Sequence, residues 1–152
     1  MKTYADNRKA TFNYEILEKF QAGMGLNGQE VKSIKSGRIN LAGSYAVIRG
    51  EEVYLVGATI TAYQPKNAPA GYNPERPRKL LLNKKEIQYL IGKVKERGLT
   101  LVPLRVYNVK AKLKLEFGLA KGKRGPDKRE KIKKRETQRE IERALKRGHE
   151  TT

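Results

Sequence analysis

A chain of 152 residues suits one domain with room for an extension, since domains peak at roughly 100–150 residues. Its 34 Lys and Arg outnumber 16 Asp and Glu, for a formal net charge of +18. A polyanion is therefore the default partner, because it relieves self-repulsion and releases counterions from phosphate. The absence of cysteine excludes disulfides, thiolate metal sites and a cysteine nucleophile. No apolar run approaches the ~20 residues of a membrane span, and Met1–Asp6 leads into no apolar signal segment, so cytoplasmic residence without a membrane role is expected.

In chain order, Tyr14–Gly23 reads as a strand of irregular pattern. Asn27 then stands three residues before Glu30, the spacing of a capping box, with Leu26 and Val31 as a hydrophobic staple and Gly37 as the stop of a short helix. Ser44–Ile48 and Val53–Val56 flank the turn Arg49-Gly50-Glu51-Glu52, which predicts a hairpin. Pro65–Lys79, with Pro65, Pro69, Pro74 and Pro77, reads as an irregular surface loop ending in the cations Arg76, Arg78 and Lys79. Asn83 and Glu86 repeat the capping relationship. Ile87, Leu90, Ile91 and Val94 then recur at helical spacing before Gly98, which predicts a second helix with one apolar face.

Leu99–Asn108 is a further apolar run in which Pro103 marks an edge or bulge. In the next strand Ala111, Leu113, Leu115, Phe117 and Leu119 alternate with Lys110, Lys112, Lys114 and Glu116, giving a half-buried strand with a cationic outer edge. Short strands with two or three accessory helices fit a mainly β fold, an OB-like closed antiparallel barrel.

The composition changes near residue 120. Residues 121–152 hold 13 Lys and Arg, 6 Asp and Glu and no aromatic residue, and their only sizeable apolar side chains are Ile132, Ile141 and Leu145. Too little apolar area is available there to offset the ordering entropy. The chain therefore reads as a body, 1–120, and a basic tail, 121–152, that is disordered alone. Glu130 with Lys134 and Glu142 with Lys146 are spaced to favour a helix when the tail meets a surface.

Catalysis finds little support. The only histidine, His149, lies near the end of the tail, and the two Asp residues, Asp6 and Asp127, are far apart in sequence. Glu51-Glu52 sits at a turn, and no Walker or Gly-x-Gly-x-x-Gly loop opens a helix after a strand. A binding protein without cofactors is expected rather than an enzyme. On composition alone a ribosomal protein with an rRNA-threading tail ranks first.

Local blocks sharpen this. Asn7-Arg8-Lys9-Ala10, Ala22-Gly23-Met24-Gly25-Leu26, Gly28-Gln29-Glu30-Val31-Lys32-Ser33-Ile34-Lys35-Ser36-Gly37, Arg76-Pro77-Arg78-Lys79-Leu80-Leu81-Leu82-Asn83 and Ala120-Lys121-Gly122-Lys123-Arg124 occur in order. Together they resemble the small protein B family over about residues 7–135. The resemblance implies an OB-like barrel that binds the tRNA-like domain of transfer-messenger RNA and accompanies it to stalled ribosomes, with the tail folding into the empty messenger channel at the decoding centre. It implies a monomer that meets elongation factor Tu and alanyl-tRNA synthetase only through the RNA.

The RNA-binding residues so implied are Asn7, Lys9, Gln21, Gly23, Glu30, Lys32, Ser33, Lys35, Arg38, Arg76, Arg78, Lys79, Lys114 and Lys121. Glu30 reads equally as a helix cap. The tail residues Lys123, Arg124, Asp127, Lys128, Arg129, Lys133, Lys134 and Arg135 would meet ribosomal RNA. Gln21 stands where relatives usually carry Glu, and Gly125-Pro126 precedes Asp127 where they usually carry His or Tyr.

Overall fold

The computed structural model describes residues 1–64, 70–95, 98–122 and 141. Its elements are β1 (Thr3–Asp6), α1 (Arg8–Asn13), β2 (Tyr14–Met24), α2 (Gly28–Lys35), β3 (Ile39–Asn40), β4 (Tyr45–Arg49), β5 (Glu52–Val56), β6 (Thr59–Ile60), β7 (Arg78–Leu81), α3 (Lys84–Val94), β8 (Leu99–Val109) and β9 (Lys112–Gly122). No helix among the described residues is long and apolar enough to cross a membrane.

The antiparallel order β8-β4-β5-β7-β2-β9 returns to β8, so the strands close into a ring. Closure depends on β8 and β9 being long. One edge of β8 takes β9 from Leu99 to Val109; the other takes β4 at Leu101 and β1 at Arg105–Tyr107. β2 is similarly shared, by β9 along Tyr14–Gly23 and by β7 at Gly23 and Met24. The expected barrel is thus observed, and no long strand edge is left as a template for aggregation among the described residues.

Inside the ring, Ala22, Met24, Ala46, Val53, Leu55, Leu80, Leu101, Val106, Leu115, Phe117 and Leu119 form the core, with Ile34 of α2 and Leu90 of α3 packed into it. Phe20 pairs across the ladder with Phe117 and stacks on it at 5.5 Å between centroids; Tyr89 of α3 lies 6.1 Å from Phe20. Both capping boxes form: the Asn27 side chain accepts from the Glu30 N–H, and the Asn83 side chain from the Glu86 N–H. Gly37 and Gly98 follow these helices with φ of 81° each, a conformation that favours glycine.

Several expectations need amendment. The hairpin is tighter than predicted, because Arg49 pairs with Glu52 and only Gly50 and Glu51 turn. Arg78–Leu81 is not the end of a loop but strand β7, hydrogen-bonded to β5 and β2. Pro103 does mark a bulge: Pro103 faces Phe117 and Arg105 faces Glu116, leaving Leu104 as the extra residue.

The alternation of β9 fails after Phe117, since Gly118, Leu119 and Ala120 are all buried. α1 is the reason. Ala10 packs on Val102, Leu104 and Ala120, with Tyr14 and Ile16 beside them, so this stretch of the barrel is covered on both faces. Gly118 belongs to that packing: a Cβ there would stand 2.8 Å from Ile16 Cγ2. Gly118→Ala should therefore cost ~1–3 kcal/mol by overpacking, read as a lower urea midpoint. An unchanged midpoint would mean that Ile16 simply rotates aside.

Of the tail, Ile141 alone is described; it is helical and buried. The expectations for Lys123, Arg124, Asp127, Lys128, Arg129, Lys133, Lys134 and Arg135 fall outside the described residues. Body strand β9 runs on to Gly122.

Candidate nucleic-acid interface

The capping carboxylate of α2 has a second task. Glu30 Oε2 accepts from Arg78 Nε at 3.0 Å, from Arg78 Nη2 at 2.7 Å and from Arg76 Nε at 3.1 Å, while Oε1 takes the Asn27 N–H and Arg76 Nη2. The Tyr72 hydroxyl donates to the Ile60 carbonyl at 2.7 Å and lies 3.3 Å from Glu30 Oε2. Arg78 also donates to the Ala58 carbonyl at 2.9 Å. Burial by itself would raise the Glu30 pKa, but the hydrogen bonds from Arg76, Arg78 and the Asn27 N–H outweigh it and hold the carboxyl below its ordinary 4.5. The same burial, with the Glu30 charge, pushes the Tyr72 phenol up.

Glu30 and Arg78 are fully buried, and Ser33 is buried on the inner side of α2. The resemblance places all three among the RNA-binding residues; in this structure they face inward and none offers a surface to a partner. Arg76 differs, with 36% of its side chain exposed. The cluster pins α2 to the chain that enters β7, and thereby fixes the positions of the exposed Lys32, Lys35 and Lys79. Arg38, just beyond α2, is exposed but tethered to the Ala62 and Tyr63 carbonyls at 3.2 and 2.6 Å.

From there a continuous outer face can be followed across the sheet. The Gly25 N–H donates to the Lys79 carbonyl at 2.8 Å. Gly23 pairs with Leu81 on one side and Lys114 on the other, and Lys114 pairs with Tyr107. Gly23 and Gly25 keep the backbone low, since a Cβ at either would already contact Leu81 or Lys79. Leu81, more than half exposed, therefore stands over bare backbone between two lysines. Lys79 is partly engaged by Glu52 at 3.2 Å.

The Tyr107 hydroxyl donates to Gln21 Oε1 at 2.6 Å beneath the Arg105 guanidinium, which lies 4.6 Å from the ring. Gln21 thus serves as an acceptor opposite Glu116, where a carboxylate would face a like charge across the ladder.

The structure gathers Gln21, Gly23, Lys32, Lys35, Arg76, Lys79 and Lys114 on this side of the barrel. It does not bring Lys9 or Lys121 there. Both belong to the α1 end, and Lys114 is six residues along β9 from Ala120, about 20 Å at ~3.3 Å per residue. The Asn7 side chain is used internally, donating to the Pro103 carbonyl at 2.9 Å. Sequence reasoning missed Tyr72, Gly25 and Leu81; the last two carry no chemical signal, and Tyr72 enters through the fold alone.

The face offers several cations with a few flat or apolar surfaces between them, a composition suited to folded RNA read by shape. Among the described residues no cluster of His, Asp and Glu is placed to hold a metal.

Comparison with known proteins agrees in one direction. The family model described as SmpB protein matches residues 4–147. The SsrA-binding protein of Acaryochloris marina is 49% identical over 149 residues, covering 98% of this chain and 97% of its own length. That of Magnetococcus marinus is 53% identical over 145 residues, covering 95% and 96%. A chain from the structural study "tmRNA-SmpB: a journey to the center of the bacterial ribosome" superposes with a TM-score of 0.64 at 42% identity, covering 92% of this chain and 95% of that one. A match of this length, on a fold whose ring of strands and capped helices accounts for the shared blocks, leaves one assignment: the chain belongs to the SmpB family.

Proposed function

We propose that this protein binds the tRNA-like part of transfer-messenger RNA through the face built on α2, β7, β2 and β9, and delivers that RNA to stalled ribosomes. The observation that carries the reading is the Glu30 cluster. A fully buried carboxylate holding two arginines fixes the α2 lysines and β7 in one rigid surface, and near-full-length relatives are named for binding SsrA RNA. The protein then acts by binding and placement, with no covalent step of its own. Glu30 and Arg78 shape the surface, while Lys32, Lys35, Arg76, Lys79 and Lys114 meet phosphates. The basic tail engages the decoding centre in place of a messenger, and elongation factor Tu and alanyl-tRNA synthetase are met through the RNA alone.

The test is a salt series. Each lost phosphate contact flattens the fall of log K with log[salt] by ~0.7–0.9. Lys32→Ala with Lys35→Ala should flatten it by ~1.5 for transfer-messenger RNA and leave urea stability unchanged, both side chains being exposed. Equal slopes for the variant and the parent would place the RNA elsewhere. Equal affinity for transfer-messenger RNA and ordinary tRNA would favour a generic rRNA-binding protein instead.

A further inference from the structure

Lys79 stands at the corner where the cationic face meets the β4–β5 hairpin. Val53, Leu55 and Leu80 point into the core, so their strand neighbours Glu52, Tyr54 and Lys79 point outward. The register sets Tyr54 directly across from Lys79 and Arg49 across from Glu52. These four side chains make a polar network on the outer surface. Glu52 Oε1 lies 3.2 Å from Lys79 Nζ, and the Tyr54 hydroxyl donates to Glu52 Oε2. The Arg49 guanidinium lies 5.5 Å from the centre of the Tyr54 ring.

Two acidic residues thus hold cations of the proposed RNA face, on different terms. Glu30 is buried, caps α2 and serves the fold. The Glu52 side chain is 45% exposed and that of Lys79 50%, a setting in which an ion pair adds little to stability and opens readily. Yet the carboxylate is aimed. The Tyr54 hydroxyl, and after it Lys79, hold its pKa below the ordinary 4.5, so it is charged at neutral pH. A charged oxygen kept on that ammonium takes the place a phosphate oxygen would occupy.

We infer that Glu52 is a competing carboxylate built into the RNA face: it occupies Lys79 in the free protein, and an RNA phosphate must displace it to reach that lysine. The inference rests on the RNA-binding role proposed for this face. Tyr54 is a positioning residue, because its hydroxyl keeps Glu52 over Lys79. The competition lowers the affinity for RNA, and Glu52 reclaims Lys79 as the RNA leaves. Such a repulsive element is as much a part of recognition as the attractive ones.

The turn of the same hairpin supplies the control. Glu51 is exposed there, beside Gly50, so Glu51→Gln changes the net charge as Glu52→Gln does. Binding of transfer-messenger RNA to the full-length protein is measured at one fixed salt concentration. Glu52→Gln should tighten it about 2–5-fold, the range set by the worth of an exposed ion pair. Glu51→Gln should change it by less than ~1.5-fold, since one more distant charge is screened. In a Lys79→Ala background Glu52→Gln should bring no gain, the mark of direct coupling. Tyr54→Phe should tighten binding less than Glu52→Gln, and not at all once Glu52 is already Gln.

Equal gains from Glu52→Gln and Glu51→Gln overturn the competition, as does a gain from Glu52→Gln that survives Lys79→Ala. In either case the carboxylate acts through net charge alone. No gain from Glu52→Gln overturns it as well; if Lys79→Ala still weakens binding, the RNA face itself stands. If Lys79→Ala and the paired Lys32→Ala, Lys35→Ala variant all leave binding unchanged, the RNA lies elsewhere and both readings fall together.

Discussion

Glu30→Gln is expected to destabilise the protein by about 3–5 kcal/mol, because it strips the countercharge from a fully buried guanidinium. Arg78 cannot turn to water, so its charge would remain inside beside a neutral amide. Urea denaturation would show the loss as a lower midpoint at unchanged slope. Adding Arg78→Met should return part of it, since the stranded charge then leaves as well. A loss below ~1 kcal/mol would mean that solvent reaches the pair and that α2 is held by its apolar face alone.

The same carboxylate sets an acid limit. Its folded pKa lies below the ordinary 4.5, so the stabilisation is fully present above that value and is lost as pH falls through the folded pKa. In Glu30→Gln this part of the acid dependence should vanish. The RNA-binding consequence should follow stability: at pH 7 and low temperature, where the variant is folded, the lysines remain but their mutual placement loosens.

The second large effect concerns the centre of the barrel. Phe117 is fully buried, stacks on Phe20 and lies in the strand that joins β2 to β8. Phe117→Ala should cost about 3–5 kcal/mol, from lost transfer free energy plus a cavity that a closed ring cannot collapse to fill. Thermal unfolding would report it. Phe117→Leu should lose far less, because it keeps most of the volume. Equal losses for the two would indicate that ring stacking, rather than filled space, holds the site.

What could be read from the sequence follows how local each interaction is. Asn27 with Glu30 and Asn83 with Glu86 are three residues apart, so both capping boxes could be recognised without a fold. The same Glu30 is also claimed by Arg76 and Arg78, 46 and 48 residues further on. No pattern along the chain announces such a partnership, so Arg78 reads as one more loop cation.

Long strands with one solvated face, such as Lys112–Gly122, show their period, whereas β3 and β6 have two residues each and no period to show. α1 escaped for a related reason: six residues, one buried side chain and no side-chain cap give it no signature. Of the candidate interface, the cations Lys32, Lys35, Lys79 and Lys114 were legible as charge. The low glycine floor under Leu81 was not, because its meaning comes from the strand opposite.

The pairing of Tyr14 with Gly122 also bears on how this protein is born. β2 is made early, yet its long partner is the last strand of the body, more than a hundred residues later. At ~5–20 residues per second, one edge of β2 waits roughly 5–20 s for its ladder to arrive. Closure of the ring thus needs the last-made strand of the body and rests on contacts distant in sequence, the kind that slow folding in general. The exposed Glu15, Glu18 and Lys19 on β2 put charge along that waiting edge, where nascent chains would otherwise pair with one another.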